Sequence, residues 1–381
     1  MKKFFCIIMS VLLIMALASC GCDKSTGNTF KIGVIGPLSG SAAAYGIAVQ
    51  RGAEIAVEEI NAAGGVNGAM LELQLSDDQH TPEKSVHAYN ALKDWGMQIL
   101  MGTVTSGPCV AVSYETKRDN IFQITPTSSA AECVEGDNAF RLCFSDPAQG
   151  AKSAEYIATH DLADKIAVIY DDSDVYSTGI YEEFKKEAEA DGLKIVAVET
   201  FSSDRSDFTV QLLKAKGAGA ELIFMPIYYT ETALILEQAD NNDYNPIFFG
   251  CDGLDGVLAV EGFDEKLAEG VMLLTPFVAY ADDEQTVNFV EKYRAKYGET
   301  PNQFAADAYD AIYAIKAALE KSGATYDMSA SEICELMKKA MLEIEIDGLT
   351  GDNITWSADG EPEKEPKAVA IAEGDYTLIK E

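Results

Sequence analysis

The stretch QILMGTVTSGPCVAVSYETKRDNIFQITPTSSAAE, Gln98 to Glu132, decides the fold. It predicts a strand over Gln98 to Val104, a helix opened by Pro108, and a second strand over Ile121 to Thr125. A cluster of small hydroxyl residues follows each strand. In a parallel sheet both clusters lie at the same carboxyl edge, where open α/β sheets bind their ligands.

Ser106 and Ser129 belong to these two clusters, and each is expected at the start of a helix. Ser129 has Glu132 three residues later, which is the spacing of a capping box. Either serine alone is explained by helix capping. Two such clusters on adjacent strands favour a pocket instead, and the unpaired N–H groups at helix starts predict that it takes a small anionic group.

The rest of the chain alternates short apolar runs with amphipathic helices, which predicts an α/β fold with parallel sheets. Its 381 residues, 48% hydrophobic, suffice for two cores. The strands fall into two series of four or five, so we expect two doubly wound sheets. After residue 275 three helical stretches follow without a strand, and the chain ends in a predicted antiparallel pair, Ile354 to Trp356 with Ala368 to Ala372.

The N-terminus predicts export. Met1 to Lys3 is basic, Phe4 to Ala16 is an apolar run too short to span a membrane, and Leu17 to Cys20 is similar to a bacterial lipoprotein box. We therefore expect a signal peptide over 1–19, lipidation of Cys20 and a flexible tether over 20–29. The alternative is an ordinary signal peptide with a chance cysteine at its end.

Charge and cysteine usage narrow the class of partner. Removal of residues 1–19 takes away two lysines and no acid, which changes the net charge from −33 to −35. So strong a negative charge disfavours nucleic acid or acidic lipid as a partner. The chain has only three histidines and no CxxC pair, which argues against a metal site, and no cofactor motif occurs. Cys109, Cys133 and Cys143 supply either a disulfide or buried thiols.

Catalysis is not expected, because no nucleophile, base and orienting partner can be assembled from the predicted strand ends. Other strand ends carry Tyr45, Tyr176, Tyr228 and the carboxylate of Asp252. Any one tyrosine is explained by packing. Together with the hydroxyl clusters they predict a site for a zwitterion that carries a side chain.

Over nearly all of the mature chain the sequence resembles the leucine/isoleucine/valine-binding proteins, which are type I periplasmic-binding-protein receptors of ABC importers. The motifs that carry the resemblance are GPLSGSAAAYG (Gly36 to Gly46), EINAAGGVNG (Glu59 to Gly68), GTVTSG (Gly102 to Gly107), ITPTSS (Ile124 to Ser129), FRLCFSDPAQG (Phe140 to Gly150) and FFGCDG (Phe248 to Gly253).

The resemblance implies a role for each site residue. Ser106 and its backbone neighbours, with the Ser129 N–H, would bind an α-carboxylate. The Thr127 carbonyl, the Ser129 hydroxyl and Asp252 would receive an α-ammonium. The complete set of expected ligand-binding residues is Tyr45, Thr105, Ser106, Gly107, Thr127, Ser129, Tyr176, Tyr228 and Asp252.

The chain departs from the enteric members at three places. Asp252 stands where those proteins often have Glu. His80 and Thr105 replace a cysteine pair, so that disulfide is absent. Thr103 to Thr105 make the wall for the ligand side chain more polar.

The resemblance also implies two lobes, 30–144 with 276–348 and 145–275 with 349–381. Three hinge crossings would join them, near Phe144 to Ser145, Thr275 to Pro276 and Asp347 to Gly351. A ligand that touches both lobes would favour closure.

The resulting hypothesis is a lipid-anchored, monomeric receptor that binds a free amino acid, branched-chain or otherwise apolar, and delivers it to ABC permease subunits. It would work at the outer face of the cytoplasmic membrane or in the periplasm. Two alternatives remain open. One is a receptor for another small carboxylate or amide that feeds a signalling partner, and the other is an extracellular hydrolase.

Overall fold

The computed structural model describes residues 27–202 and 204–379. The expected signal peptide, Cys20 and the tether up to residue 26 lie outside the described residues, and Thr29 already begins the first strand. Within the described part, no helix is long and apolar enough to cross a membrane.

The first lobe is built on a five-stranded sheet. Its strands β1 to β5 are Thr29–Gly36, Met70–Asp77, Ile99–Gly102, Phe122–Thr125 and Ala139–Arg141, and the helices between them, α1 to α3, are Ala43–Ala62, Pro82–Trp95 and Ser106–Asp119. The strand order is β2-β1-β3-β4-β5, and all four pairings are parallel.

The second lobe repeats this order. Strands β6 to β10 are Lys165–Asp171, Lys194–Phe201, Leu222–Met225, Ile247–Gly250 and Met272–Thr275, and helices α4 to α7 are Asp146–Thr159, Val175–Ala190, Thr209–Ala218 and Tyr229–Asn241. The order β7-β6-β8-β9-β10 is parallel throughout. Two parallel sheets, as the alternating pattern predicts, therefore form the core of the molecule.

The predicted antiparallel pair at the C-terminus is wrong. After helices α8 (Glu284–Tyr297), α9 (Gln303–Ser322) and α10 (Ala330–Ala340), the chain forms a small antiparallel sheet of β11 (Ile346–Gly348), β12 (Gly351–Trp356) and β13 (Pro362–Glu363). The last strands, β14 (Lys367–Ala372) and β15 (Asp375–Leu378), extend the second sheet instead, with β14 antiparallel to β10. β14 has an apolar face to bury, and the open edge of β10 accepts it.

The small sheet is attached to the first lobe. The Trp356 indole N–H donates to the Arg141 carbonyl at 2.7 Å, and the Leu349 and Thr350 N–H groups donate to the Asp310 carboxylate at 2.9 Å. The lobe boundaries stay a prediction, and these contacts favour a third crossing after β13 rather than at Asp347 to Gly351.

Each lobe contains a helix pair that packs through a glycine. In the first lobe α1 lies against α9, and an added Cβ at Gly52 would lie 2.0 Å from the Ala305 carbonyl oxygen. In the second lobe α4 lies against α5, and a Cβ at Gly150 would lie 2.3 Å from the Ile180 carbonyl oxygen. These glycines let the backbones approach closely, which fixes the position of the helices behind each sheet.

We predict that Gly52→Ala lowers the stability of the chain by about 1–3 kcal/mol, because the new methyl must push α9 away from α1. The urea or thermal unfolding midpoint measures the change. Gly217→Ala is the matched control, because Gly217 lies on the exposed face of α6 with no atom within 4 Å of an added Cβ. It should raise stability by about 0.5–1 kcal/mol through helix propensity. Equal effects of the two substitutions would contradict the close packing of α1 on α9.

Candidate functional site

The polar loop after β3 leads directly into α3. This helix begins at Ser106, two residues earlier than the predicted start at Pro108. The N–H groups of Ser106 and Gly107 lie in the first turn, where the helix itself supplies no acceptor. The Ser106 Oγ accepts from the Ser129 and Ala130 N–H groups, both at 3.2 Å. The Ser129 N–H that the resemblance assigns to a carboxylate is therefore occupied by Ser106 in this structure.

The loop after β4 does not start an α-helix, so the predicted capping box of Ser129 and Glu132 is wrong. Only a 3-10 turn, Ala131–Val134, follows, and no side chain caps it. The fully buried Arg141 holds the carbonyls of Ser128 and Ala130 at 3.2 and 2.8 Å. The chain is thereby fixed in a non-helical course before it enters β5.

Threonine hydroxyls tie the two loops together. Thr127 Oγ1 donates to the Val104 carbonyl at 2.6 Å, and Thr125 Oγ1 donates to the Thr103 carbonyl at 2.7 Å. Thr105 differs from both, because its Oγ1 lies 2.9 Å from Nδ1 of His80. The first lobe thus presents a rigid, hydroxyl-rich edge in which most hydroxyls are already bound.

The second lobe supplies a carboxylate with its own hydrogen-bond partners. Tyr176 donates its hydroxyl to Asp252 Oδ1 at 2.7 Å and accepts from the Gly253 N–H at 2.9 Å. The Asp252 N–H donates to Gln149 Oε1 at 3.1 Å. Tyr228 stacks on Tyr176, with ring centroids 4.8 Å apart and planes within 10° of parallel.

The two lobes meet directly around this carboxylate. The Tyr45 hydroxyl of the first lobe donates to the Gly253 carbonyl at 2.5 Å and accepts from the Tyr229 N–H at 3.2 Å. Thr230 Oγ1 donates to the Ser41 carbonyl at 3.0 Å. These contacts define a closed arrangement of the lobes.

A cavity of about 250 Å³ lies between the lobes at these strand ends. It is lined by eight of the nine predicted residues, which are Tyr45, Thr105, Ser106, Thr127, Ser129, Tyr176, Tyr228 and Asp252. Gly107 does not line it. Of the wall expected over Thr103 to Thr105, Val104 and Thr105 line the cavity and Thr103 does not. Sequence reasoning missed the lining residues Gly253 and Phe304, although the motif FFGCDG contains Gly253.

A larger recess of about 1470 Å³ lies between α1 and β15. Its only buried carboxylate is that of Asp255, which already accepts the Gln303 N–H at 3.2 Å. The smaller cavity is the better candidate, because polar groups from both lobes converge on it.

Burial dominates the electrostatics of the smaller cavity. It raises the pKa of Asp252 to about 6, although hydrogen bonds from Tyr176 and Gln149 act in the opposite direction. Burial also raises the pKa of Asp146, which lies at the first turn of α4 beside Ser129, well above its usual value. Of these two carboxyl groups only that of Asp252 lines the cavity, and its burial gives it a high affinity for positive charge, whether a proton or a ligand cation.

The opposite side of the cavity suits an anion. Ser106 is the first residue of α3, so unpaired N–H groups and the positive end of the helix dipole lie at this side of the cavity. The described cysteines Cys109, Cys133 and Cys143 are buried free thiols behind this loop. The site can thus hold a molecule with a negative group at one end and a positive group at the other.

Comparison with known proteins identifies the family. A family model described as periplasmic binding protein matches residues 29–375. The Leu/Ile/Val-binding protein homolog 3 of Brucella melitensis is 31% identical over 78% of this chain and 81% of its own length. The leucine-, isoleucine-, valine-, threonine-, and alanine-binding protein of Pseudomonas aeruginosa is 30% identical over 81% of this chain and 83% of its own length.

Solved structures show the same fold. A leucine-binding protein from Thermotoga maritima superposes with a TM-score of 0.83 at 27% identity, covering 92% of this chain and 98% of its own. A branched-chain amino acid binding protein from Streptococcus pneumoniae in complex with isoleucine gives a TM-score of 0.83 at 29% identity, covering 91% and 97%. The predicted type I periplasmic-binding-protein fold is confirmed, and this chain belongs to the periplasmic binding protein family, in which it is similar to the Leu/Ile/Val-binding proteins.

Proposed function

We propose that this chain is the solute receptor of an ABC importer, that it binds a free α-amino acid by closure of its two lobes, and that it delivers the ligand to the permease. One observation carries the proposal. A closed cavity between the lobes has the N-terminal turn of α3 on one side and the buried carboxylate of Asp252 on the other. These groups complement an α-carboxylate and an α-ammonium.

The N-terminal sequence supports an anchored form of this receptor. The Leu17 to Cys20 box would place a lipid on Cys20, and the chain would work as a monomer at the outer face of the cytoplasmic membrane or in the periplasm. The Thr127 carbonyl and the Ser129 hydroxyl would share the ammonium with Asp252, while Tyr45, Tyr176 and Tyr228 would form the walls.

A benzoate-bound solute-binding protein from Rhodopseudomonas palustris has the same fold at 22% identity, with a TM-score of 0.81. That likeness concerns the fold alone. Asp252 favours an amino acid over a simple carboxylate here, because a ligand without a cation would leave this carboxylate buried and uncompensated.

We predict that Asp252→Asn weakens the binding of free L-amino acids by more than about 100-fold. The substitution removes one partner of a buried charge pair, a loss of roughly 3–5 kcal/mol. Isothermal titration calorimetry with a panel of L-amino acids measures the affinity. Asp255→Asn is the matched control, because Asp255 is equally buried three residues away and does not line the cavity. Undiminished binding by Asp252→Asn would refute the assigned role of the carboxylate.

We also predict that Tyr45→Phe lowers ligand affinity about tenfold, mainly through faster dissociation. The Tyr45 hydroxyl bonds the Gly253 carbonyl and the Tyr229 N–H across the cleft, so its removal leaves both groups unpaired in the closed state, at about 1–2 kcal/mol. Stopped-flow or surface plasmon resonance separates the two rates. Tyr244→Phe removes a hydroxyl bonded within the second lobe, to the Ala220 carbonyl at 3.0 Å, and should leave both rates unchanged. A slower association with unchanged dissociation would contradict a role of Tyr45 in holding the cleft closed.

A further inference from the structure

The cavity is enclosed by residues of both lobes. These residues surround a volume of about 250 Å³, which includes the open space at its mouth. Direct contacts between the lobes enclose it, and the rings of Tyr45 and Phe304 meet with centroids 4.6 Å apart in its wall. The space left beside the proposed α-carboxylate and α-ammonium positions is therefore bounded by aromatic rings.

The hydroxyl groups around this volume are not equivalent. That of Thr127 donates to the Val104 backbone carbonyl at 2.6 Å. A hydroxyl that is held by a carbonyl has its proton committed. Thr105 is the lining residue whose hydroxyl instead meets a ring nitrogen, Nδ1 of His80, at 2.9 Å.

A neutral imidazole nitrogen can either donate or accept, depending on the tautomer. Burial lowers the pKa of His80, and the charge of Arg205 acts in the same direction, so the ring is neutral near pH 7. If Nδ1 accepts, the Thr105 oxygen can accept a second hydrogen bond. If Nδ1 donates, the Thr105 O–H is free to donate. In both tautomers one hydrogen-bonding role of Thr105 remains available to a ligand.

The contacts place this pair away from the carboxylate. Asp252 bonds Tyr176, Tyr176 stacks on Tyr228, and the edge of the His80 ring meets Tyr228 with centroids 5.3 Å apart. Two aromatic rings therefore separate Asp252 from His80. An amino acid whose ammonium is at Asp252 and whose carboxylate is at Ser106 would direct its side chain into the remaining part of the cavity, which Thr105 and Tyr228 line.

We propose that the Thr105–His80 pair is a specificity element that selects a small amino acid with a side-chain hydroxyl group, threonine being the best fit, over an aliphatic side chain of the same shape. This inference rests on the proposed function and refines its substrate class. The hydrogen bond between His80 and Thr105 keeps the Thr105 hydroxyl paired when the ligand side chain is aliphatic. Small aliphatic amino acids therefore still bind, and the preference for a side-chain hydroxyl is moderate.

The test uses a pair of ligands, L-threonine and L-valine, and a pair of proteins, the wild type and Thr105→Val. The members of each pair differ only by a hydroxyl in place of a methyl group. L-threonine and L-valine are titrated into the wild-type protein and into Thr105→Val by calorimetry. The wild type should bind threonine about fivefold tighter than valine, which is the contribution of one hydrogen bond of ~1 kcal/mol. In Thr105→Val this ratio should fall to one or below, while valine affinity stays within about twofold of the wild-type value.

Thr103→Val is the control for a general loss of polarity in the same loop. Thr103 is fully buried, does not line the cavity, and bonds a backbone carbonyl, so its substitution should change both affinities by the same factor. Circular dichroism of each variant verifies the fold.

Three outcomes would overturn the inference. Wild-type binding of valine at least as tight as that of threonine refutes the selectivity and leaves the amino acid receptor intact. A threonine preference that survives in Thr105→Val removes the role of this hydroxyl. Absence of binding for every L-amino acid refutes the proposed function together with this refinement of it.

Discussion

The burial of the Asp252 carboxylate between two lobes is the constraint on which the site depends. Removal from water raises its pKa to about 6, so ionisation of this carboxyl costs more in the closed cleft than it does in water. A ligand cation beside Asp252 would offset this penalty. Under the proposed function, the ligand thus contributes a contact that exists only in the closed state, which is the condition for a ligand to shift a conformational equilibrium.

The sheets explain why such a group can be placed accurately. Both lobes have the same order of their first five strands, and the site lies at the carboxyl ends of strands in each. Strands β3, β4 and β8 are four residues long and buried at every position. Their ends cannot shift without disturbing a packed core, so the loops that follow them are held in fixed positions.

The polar loops of the first lobe are further stabilised by groups outside the cavity. Arg141 is fully buried, its guanidinium holds two loop carbonyls, and its Nε lies 3.0 Å from the carboxylate of Glu361, in the connection between β12 and β13. Gln149 plays a related part in the second lobe by accepting the Asp252 N–H. Neither Arg141 nor Gln149 lines the cavity. Arg141 fixes the backbone on both sides of the lining residue Ser129, and Gln149 fixes the backbone of the lining residue Asp252. A buried polar network of this kind is stable only while its members remain paired.

The sequence by itself determined the order of strands and helices, because hydrophobic periodicity and turn residues are local properties. Helices α2 (Pro82–Trp95) and α8 (Glu284–Tyr297) are examples of amphipathic stretches that such local properties indicate. The strand ends that carry Ser106, Thr127 and Asp252 followed from the same pattern. The terminal pairing of Ile354 to Trp356 did not, because an apolar strand is compatible with any open sheet edge.

Only the tertiary structure decided which of these residues meet. The contact of Tyr45 with Gly253 joins positions 208 residues apart, and no local signal distinguishes it from any other tyrosine near a glycine. The loop after β4 is non-helical despite the capping-box spacing of Ser129, and its carbonyls accept hydrogen bonds from Arg141 on the neighbouring strand β5. Contacts of this kind depend on which partners become buried together when the chain folds. They therefore cannot be predicted from any one segment of the sequence.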